Sequence, residues 1–231
     1  MLAPGVDVRP SGNPNAVTPT WTAPRGTAAN LMQGEFGEIE HYLFYRGLGH
    51  FDIPVETRFD AAGQLVLANR EPAHVPFVFV YDKRSDHDVR VAWLGNLAGG
   101  EEKVVSLYQP VRGLEAAEPE IRATFQQALT AQGLFPDEAA AMLETWWHSY
   151  FMKDGLRVFW IVPRSFTEQV LPLQIDPAPS ELVRVMVGRS EVLTPAFERS
   201  LAGPGKDTAN LLYQDRFWPA YQARAKALSR P

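Results

Sequence analysis

The stretch PFVFVYD, residues 76–82, is apolar on both of its faces. Side chains alternate along a strand, so Phe77, Phe79 and Tyr81 share one face and Val78 and Val80 the other. A strand of this kind cannot lie half in water. It has to be central in a sandwich or covered by a second layer. LRVFWIVP, residues 156–163, is apolar and β-favouring apart from Arg157 and makes the same demand.

The period stays at two from Glu38 to Leu107. HYLFYR (41–46) reads as a strand. VETRF (55–59) and QLVLAN (64–69) flank Asp60-Ala-Ala-Gly63 and read as a hairpin. After PFVFVYD comes the charged stretch KRSDHD (83–88), expected as a loop. VRVAWLGNL (89–97) and KVVSLY (103–108) are the next strands, separated by Ala98-Gly-Gly100. Short strands at regular spacing with Gly and Asp turns indicate an antiparallel β-sandwich.

The period then becomes helical. Ile121, Phe125, Ala128 and Leu129 mark one face of a helix over 119–132, with Pro119 in its first turn and Gly133 just past its end. A second helix opens at Pro136, with Asp137 and Glu138 in the favourable first turn, and runs to Met152. Beyond the buried strand, Ser165 and Glu168 match a capping box. VLPLQID (170–176) and LVRVMVG (182–188) read as further strands, Thr194-Pro195 starts another helix, and Pro219 breaks the tail from Lys206.

The fold expected is α+β: an antiparallel β-sandwich-like N-terminal region, a helical hairpin, then further β-strands and a helical C-terminal tail. Its divisions are a Pro/Gly-rich flexible lead-in over 1–34, the antiparallel region over 35–110, the hairpin with its strands over 111–193, and the tail over 194–231. The middle two pack as one domain or as two tightly docked ones.

The richest aromatic run is ETWWHSYFMKDGLRVFWIVPR, residues 144–164. On a helical wheel Leu143, Trp146, Trp147 and Tyr150 form one stripe with Ala139 and Ala140 behind it. That stripe is expected to pack on the sheet containing Phe159 and Trp160, because large rings contribute heavily to buried area. A sugar-stacking platform would need exposed coplanar rings, which this spacing does not favour. His148 falls off the stripe beside Glu144.

Chemistry-bearing groups are sparse. The five histidines are His41, His50, His74, His87 and His148, and none shows HxH or HExxH spacing. The candidates for catalysis are His50 and Asp52, His87 and Asp88, and His148, because imidazole and carboxylate lie close in sequence there. No GxSxG elbow, phosphate loop or dinucleotide fingerprint occurs. Arg46, Arg58, Arg70, Arg184 and Arg189 lie at strand ends and read as surface charge rather than an anion site.

With 231 residues the chain needs no metal or disulfide to fold, and it carries no cysteine. No metal and no cofactor are expected. A net charge of -5 gives no basic footprint for nucleic acid. No run of eighteen apolar residues is present to span a membrane. The opening MLAPGVDVRPSGNPN lacks the regions of an export signal. The function expected is a non-catalytic binding or structural/assembly module of a bacterial cell envelope with another protein as partner. The alternative is a hydrolase built from dispersed His and Asp/Glu residues. The Pro-rich lead-in points to an extracytoplasmic setting, with a cytoplasmic one as the alternative.

Overall fold

The computed structural model describes residues 23–33, 37, 39–42, 49, 51–106, 110–201 and 218–228. The two-faced strand is central. β5 (Val75–Ser85) runs between β6 (Asp88–Leu97) and β8 (Gly155–Ile161), and β9 (Val187–Val192) lies beyond β8. All three pairings are antiparallel, in the order β6-β5-β8-β9. A second antiparallel sheet is formed by β3 (Val55–Phe59), β4 (Leu65–Asn69) and β7 (Glu102–Val105), in the order β3-β4-β7.

The three-stranded sheet packs on the valine face of β5. Leu65, Leu67 and Val105 share a buried cluster with Val78, Val80 and Val158. The aromatic face is covered by α1 (Leu114–Thr130) and α2 (Pro136–Tyr150), where Ile121, Phe125 and Leu143 meet Phe79, Tyr81 and Phe159. The chain is thus α+β, with a four-stranded sheet between a smaller sheet and a helical hairpin. Burial on both faces is why β5 and β8 are apolar throughout their middle. A short ribbon of β1 (Met32–Gln33) and β2 (Ile39–Glu40), and the helices α3 (Arg164–Val170), α4 (Pro195–Leu201) and α5 (Trp218–Leu228), complete the described elements. Of the lead-in, residues 23–33 lie against α2, where Asp137 accepts the Ala28 N–H at 2.7 Å.

Local chemistry fixes the turns. Asp60 Oδ1 accepts the N–H groups of Ala62 and Gln64, and Gly63 takes φ 77° to close the β3–β4 hairpin. Asn69 is fully buried at the end of β4, and its amide donates to the carbonyls of Ala73, Leu97 and Ala98. One side chain therefore ties together the two loops that join the sheets. Gly188 lies opposite Trp160, and a Cβ there would come within 2.2 Å of the indole. The close approach of strand to ring requires glycine.

Several expectations are corrected. KRSDHD is not a loop: β5 continues to Ser85 and β6 begins at Asp88, leaving Asp86 and His87 as the turn. The first helix starts at Leu114, whose N–H donates to Asp86 O at 2.8 Å, so Pro119 lies inside it. Ser165 lies within α3 rather than capping it, and Glu168 pairs with Arg164 at 2.6 Å. Residues 171–176 form no strand. Leu171, Leu173 and Ile175 are exposed, and Pro172 has no N–H to give a ladder. The strand expected over 182–188 begins only at Val187 and extends to Val192. It starts opposite Ile161, where β8 ends before Pro163. Pro219 sits in the first turn of α5, where a missing N–H has no helical partner to lose, and the tail before Trp218 lies outside the described residues. The stretches 43–46 and 107–108 lie outside the described residues.

The aromatic stripe is rotated from its expected centre. Ala139, Leu143, Trp147 and Phe151 are buried, at steps of four. Trp146 and Tyr150 flank them half-buried, and Ala140 is exposed. The hairpin partner α1 draws the contact toward Trp147, where Arg122 lies over the indole at 3.9 Å. Trp146 instead stacks on Tyr150 at 5.0 Å and 14°, and Tyr150 on Phe159 at 5.6 Å.

Candidate functional site

Both faces of β5 turn charged toward the same end. After Tyr81 come Asp82, Lys83 and Arg84, of which Asp82 and Lys83 are buried. Residues opposite one another in an antiparallel ladder share a face. Arg90, Asp82, Leu156 and Val192 therefore form one row on the valine face. Val91, Tyr81, Arg157 and Glu191 form the neighbouring row on the helix face.

The helix-face charges are internally matched. Arg157 is 1% exposed. It donates to Glu191 at 2.7 Å and to the carbonyls of Lys153 and Asp154 at 2.6 and 2.8 Å. Glu191 also takes Arg189, whose guanidinium lies over Tyr150 at 4.6 Å. Lys83 bonds Asp154 and reaches Asp86 at 2.9 Å. Burial pulls the Lys83 ammonium down, but those two carboxylates outweigh it and its pKa ends raised. Tyr81 donates to Phe151 O at 2.6 Å, and burial holds its hydroxyl protonated.

Asp82, on the valine face, is matched far less well. Its one hydrogen bond among the described residues comes from Arg84 Nε at 3.1 Å. Burial raises its pKa above the ordinary carboxylate range, and the pull of Arg84 opposes this only in part. In the same row, Leu156 and Val192 still belong to the buried cluster shared with the three-stranded sheet. α4 and α5 meet at this end of the sheet, with Phe197 against Tyr221 at 5.9 Å. Thr194 Oγ1 accepts the Phe197 N–H at 3.2 Å and starts α4, as its sequence indicates.

Between the sheet and these two helices is a cavity of about 570 Å³. Leu156, Val192, Phe197 and Tyr221 form its apolar part, and its charged side is Asp82 and Arg84 bordered by the paired Lys83, Asp154 and Glu191. An apolar floor with a few convergent polar groups is the usual form of a ligand seat, and a perturbed titratable group in it strengthens the case. A second depression, of about 600 Å³, lies between residues 28–30 and the start of α2. Its carboxylate Asp137 is held below its ordinary pKa by the Ala28 N–H, so it is already occupied.

Among the described residues the histidine and carboxylate candidates do not converge. His50 lies outside the described residues. Asp52 is exposed in the segment before β3. His87 is exposed in the β5–β6 turn, its backbone N–H on Ser85 Oγ at 3.2 Å. Asp88 pairs with Arg90 at 3.0 Å, which lowers its pKa. Of the described candidates, Asp88 is close enough to the cavity for its charge to raise the pKa of Asp82. His148 is exposed on α2, and its neighbour Glu144 bonds Arg122 at 3.0 Å. Arg58 and Arg70 pair with Glu102 and Glu56, and Arg184 donates to Leu171 O, so they form no common anion site. Among the described residues no three His, Asp or Glu side chains group as metal ligands, and no helix is long and apolar enough to cross a membrane.

Sequence reasoning missed Asp82, Lys83, Arg157 and Glu191. A signal for Asp82 is present: it continues the inward series Val78, Val80 as a carboxylate at an apolar position. Comparison with protein-family models, curated proteins and solved structures finds no match for this chain.

Proposed function

We propose that this protein is a non-catalytic binding module, and that the cavity over Asp82 is its ligand seat. One observation carries this. The cavity combines an apolar floor with a buried carboxylate held by a single, half-exposed arginine, while the ion pairs around it are complete within the fold. The hydrolase alternative draws no comparable support. It needs a nucleophile and a base within hydrogen-bond reach, and the described histidines candidate for that role lie in an exposed turn and on an exposed helix face.

A protein partner and an extracytoplasmic setting belong to the same proposal. Leu171, Leu173 and Ile175 support the first, as exposed apolar side chains that no strand pairs among the described residues. The Pro/Gly-rich lead-in supports the second. Cell fractionation and crosslinking from a benzophenone placed at position 173 test them.

The test of the central proposal is a fragment screen read by NMR on the side chains of Phe197 and Tyr221. It is run beside turnover assays with ester, phosphate, peptide and glycoside substrates. Ligand-induced shifts at both rings without turnover are expected. Turnover abolished by His87→Ala, His148→Ala or Asp82→Asn would overturn the proposal in favour of an enzyme.

A further inference from the structure

We infer that the ligand class for this cavity is an amphiphilic amine, its ammonium against Asp82 and its apolar body over Leu156, Val192, Phe197 and Tyr221. The inference rests on the binding-module reading and gives it a chemical class.

The charges facing the cavity decide the sign. Lys83 is already held by Asp154 and Asp86. Glu191 is held by Arg157 and Arg189. Arg90, in the row beside Asp82, is bound by both oxygens of Asp88, at 3.0 and 3.3 Å. What remains is Asp82 with Arg84, and the two are unequal. The Asp82 side chain is 7% exposed, whereas that of Arg84 is 51% exposed. Arg84 keeps much of its hydration, so its attraction for an incoming anion is screened. Asp82 has lost most of its water and gains only one hydrogen bond in return. A carboxylate in apolar surroundings is stabilised by a cation that arrives already desolvated, because the interaction strengthens as the local dielectric falls. An anion would enter against that same carboxylate and would depend on an arginine at the rim.

The remaining contacts favour a long apolar body over a small polar cation. Leu156 and Val192 belong to the buried valine-face cluster. Phe197 and Tyr221 close the opposite side as a tilted pair at 65°. A volume of about 570 Å³ falls within the range that holds small organic ligands. Primary amines suit the site better than quaternary ones. An ammonium donates hydrogen bonds to a carboxylate, and Asp82 has lone pairs beyond the one that Arg84 uses.

The experiment titrates the full chain with octylamine, octanoate and octan-1-ol, all below their aggregation limits. Calorimetry gives affinity, and NMR of the Phe197 and Tyr221 rings gives location. The wild type is expected to bind octylamine at least about tenfold more tightly than octanoate, a difference of about 1.4 kcal/mol. Asp82→Asn is expected to erase that preference while leaving octan-1-ol binding unchanged. Arg84→Gln is expected to leave the amine affinity equal or raised. Equal or tighter octanoate binding, or an amine affinity indifferent to Asp82→Asn, overturns the inference. Octan-1-ol at the rings without an amine preference would leave the cavity as a ligand seat and remove the amine. None of the three probes shifting either ring would remove both.

Discussion

The two faces of β5 carry a buried charge at almost the same height, and the surroundings differ. On the helix face Lys83 meets two carboxylates, and beside it Arg157 is enclosed by Glu191 and two carbonyls. On the valine face Asp82 meets one arginine, so of the charges that border the cavity it is the buried one with a single ion-pair partner. The first arrangement is closed: every buried charge has a partner from the same fold. The second is open. A buried polar group left short of partners costs free energy unless something satisfies it. The contrast separates a structural ion network from a binding site on one strand, using partners and cover rather than residue type.

The sharpest way to break the contrast is to open the closed side. Glu191→Ala leaves Arg157 and Arg189 without their shared carboxylate. A loss of about 3–5 kcal/mol is expected from chemical denaturation, the usual cost of an orphaned buried charge. A loss below about 1 kcal/mol would show that the network is hydrated and not closed.

A second test is the packing of the valine face away from the cavity. Gly188→Ala places a methyl group 2.2 Å from the Trp160 indole. A cost of about 1–3 kcal/mol is expected from overpacking. A neutral result would mean that this face is loose along its whole length, and the cavity would lose its distinction.

The helix face also divides within itself. Trp147→Ala removes a buried ring beneath Arg122, with about 3–5 kcal/mol lost as a core truncation. Trp146→Ala removes a half-buried ring stacked on Tyr150, with about 0.5–1.5 kcal/mol lost as an aromatic pair. Equal losses in melts of the two variants would restore the stripe centred on Trp146. At the small end, Leu173→Ser is expected to change stability by less than about 0.5 kcal/mol, because the side chain is exposed and unpaired.

The layered plan was legible because β5 and β8 are apolar on both faces, which burial between two layers alone allows. The hairpins and the helix pair followed from Gly and Pro positions that act locally. What escaped depends on neighbours distant in the chain. VLPLQID has strand composition, but the place beside β8 is taken by β9, and Pro172 offers no N–H to a ladder. Trp146 and Trp147 are adjacent on a wheel, and only the position of α1 decides which is buried. Asp82 was visible as a carboxylate in an apolar series, yet its meaning depends on α4 and α5, which arrive over a hundred residues later. Of the described histidine candidates, His87 lies in the β5–β6 turn and His148 on α2, each exposed.

The pH dependence of Asp82 tests the central contrast from the stability side. Its folded pKa is raised, so its contribution favours the fold below the ordinary carboxylate range and is lost as pH rises through the folded value. Asp82→Asn should therefore melt higher than the wild type at neutral pH and level with it in acid, while amine binding falls.

The most direct measurement is the NMR titration of the Asp82 side-chain carboxyl carbon in the free protein and again with octylamine bound. The account predicts a midpoint above the ordinary aspartate value of 3.8 when the cavity is free, and a clear downward shift when the ammonium is present. A midpoint at or below 3.8 in the free protein, unmoved by the amine, would show that Asp82 is as fully satisfied as Lys83. The two faces of β5 would then be alike.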